Sequence, residues 1–170
     1  MNRSYVSLFL GSLAWTIYLR SAASFEHAEV FAWVADRDAG CVVALDSDLL
    51  ELESWKVSRP TALVVSGGRV LVQSLSEGSE SWWRLESGSN PVSCAARAGA
   101  RNLKRVKGPL PTGLQGEPTA WARAKNSHLV ATPGALHLCS EDGVLRRVQG
   151  GFRWISSVAT STEGLVAPER

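Results

Sequence analysis

Only three cysteines, Cys41, Cys94 and Cys139, are spread along the 170 residues, and no two of them form a CxxC pair. That spacing excludes a zinc ribbon and a disulfide-stapled scaffold. The chain also lacks the helix motif of metalloproteases, a Walker loop, a dinucleotide-binding glycine fingerprint and the GxSxG elbow of hydrolases. Each of those chemistries needs its motif to place a metal, a phosphate or a nucleophile, so each is removed. Its three histidines, His27, His128 and His137, do not fall at paired ligand spacing. Low hydrophobicity and high net charge are missing too: 45% of residues are apolar, 20% are charged and the formal charge is +2. Disorder is thereby excluded, and the length suffices for one core but not for two.

Acid is absent from the N-terminus as well, where the first carboxylate is Glu26. Arg3 is followed by the apolar run from Tyr5 to Leu19 and then by Ser21-Ala22-Ala23-Ser24. A short basic start, an apolar stretch and small residues are the layout of a secretory signal peptide over 1–23, cut after Ala23 or Ser24. The run is shorter than the roughly 20 residues of a membrane-spanning helix. Arg20 departs from the layout, and an uncleaved membrane anchor or a buried first element is the alternative. Removing Arg3 and Arg20 with the leader leaves 16 bases against 16 acids. A neutral mature domain on the extracytoplasmic side, periplasmic or secreted, carries no overall electrostatic pull toward nucleic acid.

What the remainder has in quantity is recurrence. Trp33, Leu71, Leu129 and Val166 sit in short apolar strands in similar contexts, at intervals of 38, 58 and 37 residues. The last three follow stretches that begin at a turn and run into a polar break: Arg59-Pro60-Thr61-Ala62 to Gly67-Gly68, Glu117-Pro118-Thr119-Ala120 to Lys125-Asn126, and Trp154-Ile155-Ser156-Ser157 to Glu163-Gly164. Those breaks are hairpin chemistry, because Gly and Asn tolerate positive φ. Downstream, Val42 to Leu52 and Ala135 to Val148 each read as strand, acidic turn, strand, with Trp82 to Gly88 as a degenerate middle copy. Each unit therefore holds about four short strands and has no room for a helix. Such a sheet cannot bury both faces alone, so the prediction is an all-β chain of propeller blades. A β-sandwich is the rival, although it does not require contexts to recur in phase.

The segments Trp33-Val34-Ala35-Asp36 through Val42-Val43-Ala44-Leu45-Asp46, and Ile155 to Ala167, resemble the NHL-type repeats of bacterial six-bladed β-propellers. The likeness runs over most of 28–170 and is weakest in the middle. Thr160-Ser161-Thr162 stands where the family has its junction Asp, and Ile155 where it has Pro. Propellers of this kind include lactonases, lyases, scaffolds and peptide binders, so the resemblance implies architecture rather than activity. Counted in blades, the region 28–170 gives a partial β-propeller, about three four-stranded blades plus the first strand of a fourth, with an insertion at about 89–116. A partial propeller exposes strand edges and an apolar blade face. The expectation is a truncated fragment without independent function, self-association of two half-propellers, or packing on another protein.

Two groups of residues are candidates for binding. Asp36, Arg37 and Asp38 close the first strand of the first unit, where loops beside inner strands line a propeller's central mouth. Facing carboxylates there can hold a calcium ion or a sugar hydroxyl; the competing reading is an acidic turn in which Asp bonds its own backbone. The turn is favoured, because later copies carry Ser74-Leu75-Ser76 and Thr132-Pro133-Gly134 at that place. In the insertion, Arg97, Arg101, Lys104, Arg105 and Lys107 cluster without an acid. They fit either an anionic partner, such as phospholipid, polysaccharide or nucleic acid, or simply a solvated loop. With no aromatic among them to stack a base, single-stranded nucleic acid is disfavoured. The six tryptophans beyond the leader are read as blade packing rather than as a carbohydrate-stacking platform, with Trp82 and Trp83 on opposite faces of one strand. Two function classes follow. One is a non-catalytic binding or interaction module for a protein or small ligand; the other is a metal-dependent enzyme of the sugar-lactone hydrolase kind, which needs carboxylates from several blades.

Overall fold

The computed structural model describes residues 30–66, 69–95, 110–114 and 116–161. The leader expected over 1–23, the basic cluster of the insertion and the Leu165-Val166-Ala167 strand expected to open a fourth unit all lie outside them. Over the described residues the chain is all-β. Its strands are β1 (Ala32–Asp36), β2 (Cys41–Leu45), β3 (Glu51–Lys56), β4 (Pro60–Ser66), β5 (Arg69–Ser76), β6 (Ser79–Leu85), β7 (Val92–Cys94), β8 (Ala120–Ala124), β9 (Ser127–Thr132), β10 (Ala135–Ser140), β11 (Leu145–Gly150) and β12 (Ile155–Thr160). They make three four-stranded antiparallel sheets, the blades of a partial β-propeller.

Turn chemistry sets the hairpins. Gly40 takes a φ of +68° at the end of the β1–β2 turn. Glu77 and Gly78, with φ of 50° and 81°, form the two-residue link of β5 to β6 that a right-twisted hairpin favours. Lys125-Asn126 joins β8 to β9. The acidic turns of the first and third blades repeat down to single hydrogen bonds. Asp46 N–H donates to Leu50 O at 3.0 Å, and Ser140 N–H donates to Val144 O at 2.9 Å. A side-chain oxygen caps each: Asp46 Oδ1 accepts from Leu50 N–H at 2.9 Å, and Ser140 Oγ from Val144 N–H at 3.2 Å. Leu49 and Gly143 take the left-handed position, with φ of 60° and 82°. A leucine is strained there, and its completely buried side chain offsets the strain.

The second blade runs β4-β5-β6-β7 and the third β8-β9-β10-β11, both in chain order. The first does not: its order is β12-β1-β2-β3. The stretch from Ile155, which in sequence leads toward a fourth unit, is instead the inner strand of the first blade. Among the described residues no strand precedes β1, and its bare edge would leave a row of peptide groups unpaired. β12 fills that edge, with Trp33 opposite Ala159 and Val34 opposite Val158. A bulge interrupts the register between Ala35 and Asp36.

Blade 1 lies between the other two. One apolar cluster joins its Trp33, Val42, Ala44 and Trp55 to Leu63, Val70, Val72 and Leu85 of blade 2. The other joins Val34, Val43, Leu45, Ile155 and Val158 to Ala122, Leu129, Ala131 and Leu136 of blade 3. Alternation along β1 thus sends successive side chains to opposite neighbours. Trp82 and Trp83 divide in the same way. Trp83 packs against the blade 1 cluster and donates from its indole to Ser74 Oγ at 2.8 Å, while Trp82 is buried on the other face. Polar contacts reinforce both seams. Glu53 accepts from Ser87 Oγ and Gly88 N–H of blade 2, at 2.9 and 2.7 Å, and Arg147 of blade 3 donates to Asp48 O at 2.6 Å.

The start of β12 is held by one carboxylate. Asp36, 2% exposed, accepts from Trp154 N–H and Ala39 N–H through Oδ1, each at 3.0 Å, and from Arg153 N–H through Oδ2 at 2.7 Å. Three charge-assisted bonds to backbone make removal of the acceptor expensive. Asp36→Ala is expected to cost about 2–4 kcal/mol of unfolding free energy, and Asp36→Asn roughly half of that, since the amide keeps one oxygen. Urea denaturation followed by tryptophan fluorescence reads both. An Asp36→Ala chain as stable as the parent contradicts this role.

Candidate functional site

The inner strands of the three blades, β12, β4 and β8, come together, with β12 packed against both of the others. Side chains of β12 tie the group. Ser157 Oγ accepts from Leu63 N–H of β4 at 3.1 Å, Ser156 Oγ donates to Pro60 O at 2.7 Å, and Thr160 Oγ1 donates to Arg123 O of β8 at 2.7 Å. At one end of the inner strands an open cleft of about 370 Å³ is lined by Arg37, Thr61, Thr119, Trp154 and Ser156.

Three of these lining residues occupy the same place in three repeats. Thr61 follows Pro60 at the start of β4, Thr119 follows Pro118 just before β8, and Ser156 follows Ile155 at the start of β12. Their hydroxyls also share a partner type, each reaching a carbonyl on the adjacent strand of its own blade. Thr61 Oγ1 donates to Gln73 O at 3.2 Å and Thr119 Oγ1 to Ala131 O at 3.4 Å, while Ser156 Oγ lies 3.2 Å from Ala35 O in addition to its shorter bond to Pro60. A hydroxyl has one proton and two lone pairs. With the proton directed to backbone, the oxygens that remain act as acceptors.

The fourth and fifth lining residues form a stacked pair. The Arg37 guanidinium lies over the Trp154 ring, 5.0 Å from its centroid. Its Nε donates to Asp38 Oδ1 at 2.9 Å. Both side chains of that ion pair are more than a third exposed, so the pair contributes geometry rather than stability. Arg37 N–H donates to Trp154 O at 2.8 Å, which ties the two residues through backbone as well.

Of the residues singled out by sequence, Arg37 lines the cleft and Asp38 positions it. Asp36 is the buried anchor of β12, with both oxygens occupied by backbone N–H groups, in keeping with the acidic-turn reading and extended across to β12. The remaining candidates, Arg101, Lys104, Arg105 and Lys107, fall outside the described residues. Sequence reasoning missed Thr61, Thr119 and Ser156, although the Pro-Thr-Ala recurrence that carries two of them was in view. It also assigned Trp154 to packing, whereas this ring is 36% exposed and faces Arg37.

The lining does not suit a calcium ion. It offers a guanidinium and no carboxylate, and calcium wants six to eight oxygens, several of them charged. Among the described residues no group of three or more His, Cys, Asp and Glu is arranged to hold a metal. The thiols are no better placed as nucleophiles. Burial pushes the Cys139 thiol up, and burial together with Asp36 and Glu51 pushes Cys41 up, so both stay protonated at neutral pH. All three cysteines are free.

No protein-family model matches the chain, and neither a curated protein nor a solved structure matches it.

Each blade also buries a polar residue toward the end of its second strand: Asp36, Ser74 and Thr132. Thr132 Oγ1 lies 3.3 Å from Nε2 of His137, a 7%-exposed histidine whose Nδ1 has no hydrogen-bond partner among the described residues. Burial lowers the His137 pKa, so the folded state holds the ring neutral while the unfolded chain binds a proton near pH 6.5. The stability that comes from the neutral ring is complete above about pH 6.5 and is lost as the pH falls from there toward the lowered native value. Melting temperatures taken from pH 7.5 to 5 are expected to fall further for the parent than for His137→Leu, which has nothing to titrate. A gap between the two that stays constant with pH contradicts this assignment.

Proposed function

We propose that the chain is a non-catalytic, propeller-like binding module, exported from the cytoplasm, that takes a small polar ligand in the cleft where its inner strands meet. The observation that carries this reading is the threefold repetition of a cleft-lining hydroxyl, one from each blade at the same repeat position. Kinship with NHL-type repeats is part of the proposal and rests on the first and last repeat segments, as export rests on the leader-like order of residues 1–23.

A metal-dependent lactone hydrolase is the weaker reading, because the cleft brings no carboxylates together from different blades. The return of β12 completes the first sheet within the chain. For this reason a second copy is not needed to finish that sheet. A protein partner would instead find open edges at β3, β7 and β11, the outer strands of the three blades among the described residues.

A small-molecule fragment set, screened against the full chain by amide and indole NMR, tests the proposal. Hits are expected to perturb Arg37, Thr61, Thr119, Trp154 and Ser156 together, with melting temperature unchanged by calcium or EDTA. Hits confined to the outer strands contradict the site, and stabilisation by calcium favours the enzyme.

A further inference from the structure

The lining of the cleft narrows the kind of molecule it accepts. Arg37 spends only its Nε on protein, and its two Nη groups have no acceptor among the described residues. The Trp154 ring beneath the guanidinium and Asp38 at its Nε restrain the side chain on two sides and leave the Nη edge for a ligand. A fixed pair of parallel N–H donors matches a planar oxyanion that can bind through two oxygens. Asp38 on the other side of the same guanidinium balances its charge. With its charge largely balanced, the guanidinium gains little from the second charge of a dianion, so what it selects is the planar, two-oxygen geometry of a carboxylate. The oxygens of Thr61, Thr119 and Ser156, their protons turned to backbone carbonyls, ask the rest of the ligand for donors. At about 370 Å³ the cleft is at the small end of ligand sites.

We infer that the cleft is a receptor for a small hydroxycarboxylate, with the carboxylate paired to the Nη edge of Arg37 and the hydroxyls donating to the oxygens of Thr61, Thr119 and Ser156. This inference rests on the cleft being the ligand site. The carboxylate accounts for the arginine, and the hydroxyl groups account for the ring of acceptors, so neither half of the ligand suffices by itself. No bond is made or broken.

Four probes separate the halves: glycerate, acetate, glycerol and inorganic phosphate, each titrated into the full chain at constant ionic strength. The reporters are the indole N–H of Trp154 and the Nε–H of Arg37. Glycerate is expected to shift both reporters saturably, acetate to bind several-fold more weakly, and glycerol and phosphate to leave both in place. Arg37→Gln is expected to weaken glycerate by at least about tenfold, as the loss of a bidentate charged contact should. Thr61→Val and Thr119→Val are each expected to weaken it several-fold, and Arg146→Gln, which removes a like charge from exposed β11, to leave it unchanged. Phosphate or acetate binding as tightly as glycerate overturns the inference, as does Arg37→Gln binding glycerate like the parent. Glycerol shifting the reporters while glycerate does not keeps the cleft as a binding site and overturns the carboxylate. Silence from all four probes, with fragment hits elsewhere on the chain, overturns both.

Discussion

The grip of the Asp36 carboxylate on the backbone at Arg153 and Trp154 is the contact on which the rest of the molecule depends. It fixes where β12 begins, and β12 then supplies the missing edge of blade 1. A buried carboxylate that satisfies both oxygens with peptide N–H groups regains much of the hydration it gave up, and it leaves those N–H groups satisfied too. Ile155 follows at once into the seam with blade 3, while Ser156 and Ser157 bond to β4. One docking event therefore joins three sheets, only one of which contains the docking strand.

The cleft is a product of the same event. Trp154 and Ser156 arrive with β12, and Arg37 sits one residue beyond the anchoring carboxylate. Thr61 and Thr119 come from the flanking blades. No blade holds the site alone, and a chain in which β12 had gone elsewhere would separate Arg37 from the ring that orients it. Stability and the assembly of the cleft are thus coupled through the β1–β12 pair. The buried polar residues of β1, β5 and β9 serve different ends, for Asp36 anchors a strand, Ser74 accepts an indole N–H, and Thr132 meets a buried histidine.

Much of this architecture was legible in sequence because turn chemistry is local. Lys125-Asn126, the acidic turns after Leu45 and Ser140, and the Pro-Thr-Ala starts of two inner strands announce hairpins wherever they occur. That three four-stranded sheets would form followed from their spacing. The return of β12 did not follow, because Ile155 to Thr160 carries the same local pattern as β4 and β8, and nothing local says which sheet an inner strand will join. Its choice rests on a bulge and on hydrogen bonds across more than a hundred residues. Asp36 illustrates the same limit. An acidic residue at a strand end reads alike whether it lines a channel or is buried as an anchor, and only the approach of Arg153 and Trp154 decides. Trp154 was misjudged because it lies just outside a strand, where alternation no longer assigns a face.

The most direct test is isotope-filtered NMR on an equimolar mixture of labelled and unlabelled full-length chains, observing cross-strand contacts between Val34 and Val158 and between Trp33 and Ala159. Both contacts are expected, each arising within one labelled chain. Their absence, or their appearance only between a labelled and an unlabelled chain, would contradict it.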